Sequence, residues 1–191
     1  MISIKQKILK HLIANREKTF SINEISKILK IDYKLIHTNI HKLEKENAIK
    51  IEDFGNTKRC SFDNFFNEDV YIVEKERAKD LLKNKNFLVM YNNLKKINSQ
   101  FMLLMFGSQV KGTATKHSDI DLLIISNESE VKKVDQQLDL LPYKIHLTPV
   151  NYDGFIQMLK SKEFTVVSEA IKNNIILFGI EDYYKLLSNA R

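Results

Sequence analysis

A chain of 191 residues that is 43% apolar and 28% charged, with five Gly and two Pro, has the composition of a folded, helix-rich protein and excludes a disordered or fibrous one. Its formal net charge of +6 is unevenly placed: residues 1–65 hold 13 Lys and Arg against 8 Asp and Glu, and residues 66–191 hold 17 against 16. The first third is therefore the part suited to a polyanion, while the single cysteine, Cys60, excludes an intrachain disulfide and no Cys/His spacing resembles a zinc site.

The opening MISIKQKILK reads as an amphipathic helix rather than a signal peptide. No apolar run approaches the roughly 20 residues that span a bilayer, so a cytoplasmic protein is expected. Ile4, Ile8, Leu9, Leu12 and Ile13 have helical spacing, and the helix should end near Asn15–Lys18. Ser21 and Glu24 have the spacing of a capping box, opening a second helix with Ile22, Ile25, Ile28 and Leu29 on its apolar face. Asp32 can cap a third helix, with Leu35, Ile36, Ile40 and Leu43 inward and Tyr33, Lys34, His37, Thr38, His41 and Lys42 outward.

Two strand-like runs, AIKIEDF and KRCSFDNF, flank Gly55-Asn56, a hairpin signal that would carry Lys58 and Arg59 to a basic tip. This order of elements over residues 1–65 resembles a winged helix-turn-helix domain. The resemblance implies DNA binding, with Tyr33, Lys34, His37, Thr38, His41 and Lys42 in the major groove and Lys58 and Arg59 on the backbone or minor groove. Such a domain used only for protein contact is the alternative.

Residues 66–100 read as a helical linker, with Val70, Val73, Ala78, Leu81 and Leu82 before a break at Asn84 and Asn86, and Phe87, Met90, Leu94 and Ile97 after it. The segment is either a spacer or a surface that pairs two copies, which would give a homodimer reading two half-sites. Residues 101–191 then follow an α/β pattern: strand Phe101–Phe106, tight turn, short helix, strand Asp119–Ile125, helix Glu128–Leu140, strand Tyr143–Thr148, two helices, and the apolar run Ile175–Phe178. The expected fold class is α+β, a DNA-binding module of residues 1–65 followed by a small α/β domain.

The chemistry lies in MLLMFGSQVKGTATKHSDIDLLIIS, where Gly107-Ser108 ends one apolar strand and Asp119-Ile120-Asp121 opens the next, with ten residues between. Alternation along a strand puts Asp119 and Asp121 on one side, so two carboxylates converge where a hard cation can bind. Gly107 lets backbone approach a phosphate, and Ser108 at a helix start offers hydroxyl and N–H donors to anionic oxygens. Alone, Gly-Ser is a turn and Ser-Asp-Ile-Asp a strand edge or cap; flanked by two apolar strands, they make a site.

This stretch resembles the signature of the DNA polymerase β-like nucleotidyltransferase superfamily. Its compact spacing is similar to the minimal nucleotidyltransferases found beside HEPN partners in prokaryotic toxin–antitoxin pairs. The resemblance covers residues 87–178, with specific motifs at 105–123. It implies transfer of a nucleoside monophosphate from a nucleoside triphosphate to a hydroxyl on a protein, RNA or small molecule, with magnesium or manganese on Asp119 and Asp121. Gly107 and Ser108 would hold the triphosphate, Ser118 would support the Asp pair, and Gly112 would permit the bend after the short helix. Lys111 and Lys116 would reach phosphate or stand as solvated surface.

The resemblance also calls for a third carboxylate on the next strand. In YKIHLTPV the matching position, between Ile145 and Leu147, holds His146. An imidazole can accept a proton or take a metal, but suits magnesium less well than a carboxylate does. Asp139 and Asp153 are near in sequence, though neither has the alternating position. Two functions follow. One is an active transferase with His146 as third catalytic member, binding DNA through its first domain and serving as an antitoxin to a HEPN-type toxin. The other is a catalytically inactive DNA-binding transcriptional regulator whose transferase-like domain senses nucleotide or docks a partner.

Overall fold

The computed structural model describes residues 2–55, 57–161 and 163–189; Asn56, half of the expected hairpin signal, lies outside the described residues. The chain divides into two compact units, Met1–Lys75 and Glu76–Arg191. Among the described residues, no helix is long and apolar enough to cross a membrane.

The first unit opens with α1 (Ile4–Ile13), which buries Ile8, Leu9, Leu12 and Ile13. A short strand β1 (Phe20–Ser21) leads into α2 (Ile22–Leu29), and the Ser21–Glu24 capping box forms: the Glu24 N–H donates to Ser21 Oγ at 3.2 Å and the Ser21 N–H to Glu24 Oε2 at 2.6 Å. Asp32 caps α3 (Tyr33–Lys45) by accepting from the N–H groups of Lys34 and Leu35. Strands β2 (Ile49–Phe54) and β3 (Thr57–Phe62) form an antiparallel hairpin, with Phe54 opposite Thr57, and β1 adds to the other side of β3. Gly55 sits in the turn at φ +59°, a left-handed conformation natural to glycine.

Two expected core residues are not in the core. Ile28 and Leu35 are each 49% exposed. The buried stripe of α3 runs through Ile36, Ile40 and Leu43, and that of α2 through Ile22 and Ile25. Leu35 and Ile28 each stand one position off the i, i+3, i+4, i+7 progression, which turns them about 100° away from it.

Helix α4 (Glu68–Leu81) crosses the boundary between the units, which falls within the segment read as a linker. Its first turns pack in the first unit, where Arg16 Nη2 meets Glu74 Oε1 at 2.9 Å with the two side chains 5% and 0% exposed. Arg16 also donates to Asn64 Oδ1 and lies over the Phe62 ring. Cys60 is buried in β3, and burial, with a smaller contribution from Glu44, pushes its thiol up to about 11.

In the second unit Asn84 caps α5 (Lys85–Leu94), which accounts for the break expected there. The chain continues through β4 (Met102–Phe106), α6 (Ser108–Lys111), β5 (Ile120–Ile125), α7 (Glu128–Leu138), β6 (Ile145–Val150), α8 (Tyr152–Lys160), α9 (Val166–Lys172), β7 (Ile175–Phe178) and α10 (Ile180–Asn189). The sheet order is β6-β5-β4-β7, with β5 parallel to β6 and β4 antiparallel to both neighbours. Strand β6 begins two residues later than expected because pairing starts at Ile120–Ile145, just after the Ile120 N–H donates to the Lys144 carbonyl. Helix α10 was not anticipated, although Ile180, Tyr183, Tyr184 and Leu187 bury at i, i+3, i+4 and i+7.

Leu103, Met105, Ile120, Leu122 and Ile124 pack with Phe87, Met90 and Leu94 of α5 and with Val134 and Leu138 of α7. Phe155, Val167, Ala170, Ile176, Tyr183 and Tyr184 are also fully buried, and Asn174 among them donates to the Ala170 carbonyl and to Tyr183 Oη. Strands covered on both faces read as unbroken apolar runs. In β5 the exception is Asp121, which is only partly buried.

Candidate functional site

The apolar strand β4 delivers Gly107 to its end, next to the start of β5. Gly107 has φ +72° and ψ −150°, a region essentially reserved for glycine, and it precedes the single turn of α6. A Cβ at residue 107 would overlap Asp121 Oδ2 and stand 3.1 Å from Asp121 Cγ. Phe106 pairs with Asp121 across the β4–β5 ladder, so the register itself brings this carboxylate to the glycine. The close approach that glycine permits in this structure is that of the Asp121 carboxylate.

The loop into β5 is held by Ser118, whose Oγ accepts the Thr115 N–H at 2.9 Å and lies 3.2 Å from Thr115 Oγ1. Gln109 Nε2 donates to the Ser118 carbonyl at 3.4 Å. Asp119 falls just ahead of β5, and Asp119 and Asp121, two positions apart in extended chain, project to one side.

Strand β6 lies directly against this pair. His146 is in register with Asp121, its Nδ1 3.8 Å from Asp121 Oδ1, and Lys144 Nζ is 3.2 Å from Asp119 Oδ2. Asp119, just ahead of β5, thus faces Lys144, just ahead of β6, and Asp121 of β5 faces His146 of β6. Lys144 and His146 are 84% and 70% exposed, so each pairing is worth only about 0–1 kcal/mol and either side chain can turn to a ligand.

Residues 90–177 match the nucleotidyltransferase domain family. No curated relative matches the chain. The matched segment takes in Gly107, Ser108, Asp119, Asp121 and His146, the residues that sequence reasoning placed in the site.

Within the matched segment Gly107, Asp119, Asp121 and His146 come together, and Ser118 shapes the approach to Asp119. Ser108 begins α6, and the Thr113 N–H donates to its carbonyl. Gly112 ends α6 at φ +71°. Lys111 is drawn aside: its Nζ is 2.9 Å from Glu169 Oε1 on α9. Lys116 is exposed on the loop between α6 and β5. Asp139 caps the C-terminus of α7 and Asp153 lies in the first turn of α8, so neither stands on β6. Sequence reasoning missed Lys144, although the alternation that groups Asp119 with Asp121 also groups Lys144 with His146. A cleft of about 530 Å³ is lined by Ser118 and Lys144, which adjoin Asp119, together with Asn86, Gln109, Lys116, His117 and Tyr143.

Among the described residues, no group of three or more His, Cys, Asp or Glu side chains forms that could hold a metal ion. Two carboxylates suit one hard divalent cation that takes its remaining ligands from phosphate oxygens and water, as magnesium commonly does.

In the first unit Tyr33, Lys34, His37, Thr38 and Lys42 are exposed on α3. The Tyr33, His37 and His41 rings form a column with centroids 5.9 and 4.5 Å apart, and His41 Nδ1 lies 3.0 Å from Glu44 Oε2. Thr38 Oγ1 donates to the Lys34 carbonyl. Tyr33, His37, Thr57 and Lys58 line a groove of about 370 Å³ beside the start of α2. Arg59 is engaged within the unit: its Nε donates to Thr19 Oγ1 and its Nη2 to the Thr19 carbonyl, both at 2.7 Å, and it is 3.4 Å from Glu24 Oε2. The hairpin is also not purely basic, since Glu52 pairs across from Arg59 and Asp53 across from Lys58.

Proposed function

We propose that this protein is a nucleotidyltransferase that moves a nucleoside monophosphate from a nucleoside triphosphate to a hydroxyl on a protein, an RNA or a small molecule. The observation that carries this reading is the Asp119–Asp121 pair seated against Gly107, within the segment that matches the family. Asp119 and Asp121 would hold one magnesium or manganese ion, which when bound supplies positive charge to the phosphate oxygens. Gly107 and Ser108, at the turn between β4 and α6, would offer backbone N–H groups to anionic oxygens.

In the reaction the acceptor oxygen bonds to the α-phosphorus, the bond from that phosphorus to the α–β bridging oxygen breaks, and pyrophosphate leaves with the electron pair. The hydroxyl proton passes to the His146 imidazole. Asp121, 3.8 Å from His146 Nδ1, stabilises the imidazolium that results. Gly107 keeps the Asp121 carboxylate in place by leaving it room.

The first unit is read as a winged helix-turn-helix that binds DNA through Tyr33, Lys34, His37, Thr38, His41 and Lys42, with Lys58 on the phosphate backbone. Arg59 braces the hairpin in this reading. Support comes from the exposed α3 face and the basic excess of residues 1–65. DNA binding together with transfer suits a cytoplasmic antitoxin that represses its own operon as a homodimer and acts on a HEPN-type toxin.

A second reading, an inactive DNA-binding regulator with a nucleotide-sensing or docking domain, is favoured by His146 standing where a carboxylate is expected. Incubation with α-labelled ATP, GTP, CTP and UTP, magnesium or manganese, and a cell extract as acceptor source separates the two. Label transfer that Asp121→Asn abolishes supports the enzyme; nucleotide binding without any transfer supports the regulator.

A further inference from the structure

Beside the carboxylate pair the chain places an imidazole where a third carboxylate would add negative charge, and an ammonium next to it. Lys144, just ahead of β6, sets its ammonium on Asp119, and His146 on β6 sets its ring beside Asp121. A site of three carboxylates repels a triphosphate and depends on divalent ions to reverse its sign, whereas two carboxylates opposed by one ammonium reduce the net negative charge from three to one. The Asp119–Lys144 pair is exposed, so an arriving phosphate can compete for the ammonium without breaking any packing.

Position favours Lys144 over Lys111 and Lys116: Lys116 is exposed on the same cleft, but it is Lys144 whose ammonium lies 3.2 Å from Asp119 Oδ2. Lys111 is held by Glu169 on α9, but Lys144 stands between Asp119 and the polar cleft lined by Asn86, Gln109, His117 and Tyr143. An ammonium there can bond a phosphate oxygen of a nucleotide whose sugar and base lie in that cleft, where amide, imidazole and phenol groups offer hydrogen bonds.

We propose that Lys144 binds the triphosphate and takes the neutralising role of a second divalent cation, so that the site binds nucleoside triphosphate even without divalent metal. This rests on the reading of the Asp119–Asp121 pair as a nucleotide site.

The test is calorimetric titration of ATP, GTP, CTP and UTP in turn into the full chain, once in excess EDTA and once in magnesium, with Lys144→Gln, Lys144→Arg and Asp119→Ala/Asp121→Ala for comparison. The expected result is binding in EDTA within about tenfold of that in magnesium. Lys144→Gln should weaken the EDTA binding by about tenfold or more, the worth of one charge-assisted hydrogen bond, and Lys144→Arg should restore most of it. Binding only in magnesium, lost in the double variant, would keep the nucleotide site and overturn the role of Lys144. Binding in EDTA that Lys144→Gln leaves intact would overturn it as well. No binding of any of the four in either buffer would remove the nucleotide site itself and this inference with it.

Discussion

The Asp121 carboxylate occupies the space that a side chain on residue 107 would fill. Gly107 carries two constraints at once, a backbone conformation closed to L side chains and a neighbour that leaves no room for a Cβ. Gly107→Ala is expected to destabilise the second unit by roughly 2–4 kcal/mol, the sum of backbone strain and a displaced carboxylate. Gly112→Ala is the control: φ is also positive there, but a Cβ meets nothing within 4 Å, and about 1 kcal/mol is expected. Urea unfolding of both variants, followed by ATP titration of whatever remains folded, checks the difference.

His146→Asp would replace a base with the carboxylate that the family resemblance calls for. Three acidic groups would then share the site, and divalent ions should bind more tightly while nucleotide binding becomes dependent on them. Manganese titration, with and without ATP, measures both effects. Unchanged manganese affinity would mean that residue 146 does not face the same ligand as Asp121.

In the first unit the Arg16–Glu74 pair is almost fully removed from water. Arg16→Met would remove one buried ion-pair partner of Glu74 and should cost about 1–3 kcal/mol, and Arg16→Met/Glu74→Leu should cost less than the sum of the two single changes. Thermal unfolding of the single and double variants reads this directly.

His11 is partly buried beside Phe20, and its Nε2 has no hydrogen-bond partner. Burial, and secondarily the charge of Lys18, hold its pKa below the ordinary 6.5. The unfolded chain therefore binds the proton more readily than the folded one. His11 contributes full stability above about pH 6.5, and that contribution falls as pH drops from 6.5 through the lower folded-state value. Urea midpoints between pH 5 and 8 should show this slope in the native chain and a shallower one in His11→Gln.

The parts of the fold written locally were readable from the sequence. Ser21, Asp32 and Asn84 each accept from backbone N–H groups within three residues, and those spacings are visible in one dimension. The approach of Gly107 to Asp121 was likewise legible, because two apolar runs flank the turn. What escaped depends on partners distant in sequence. Lys144 meets Asp119 because β6 lies parallel to β5 in one register, and nothing within YKIHLTPV states that register. Arg59 looked like a surface cation until Thr19 and Glu24, 40 and 35 residues away, were found to hold it. Ile28 and Leu35 misled because an apolar residue one position from a buried stripe reads the same as one within it. Helix α10 was different: its periodicity was present and went unused.

The most direct test of the central claim is label transfer from α-labelled nucleoside triphosphates by the native chain and by Asp119→Ala/Asp121→Ala, in magnesium or manganese with a cell extract supplying acceptors. The account predicts that label moves to an acceptor in the native reaction and that the double variant abolishes the transfer while its melting temperature stays close to the native one. Transfer that persists in a folded double variant, or its complete absence with all four nucleotides, would contradict the assignment of this site to nucleotidyl transfer.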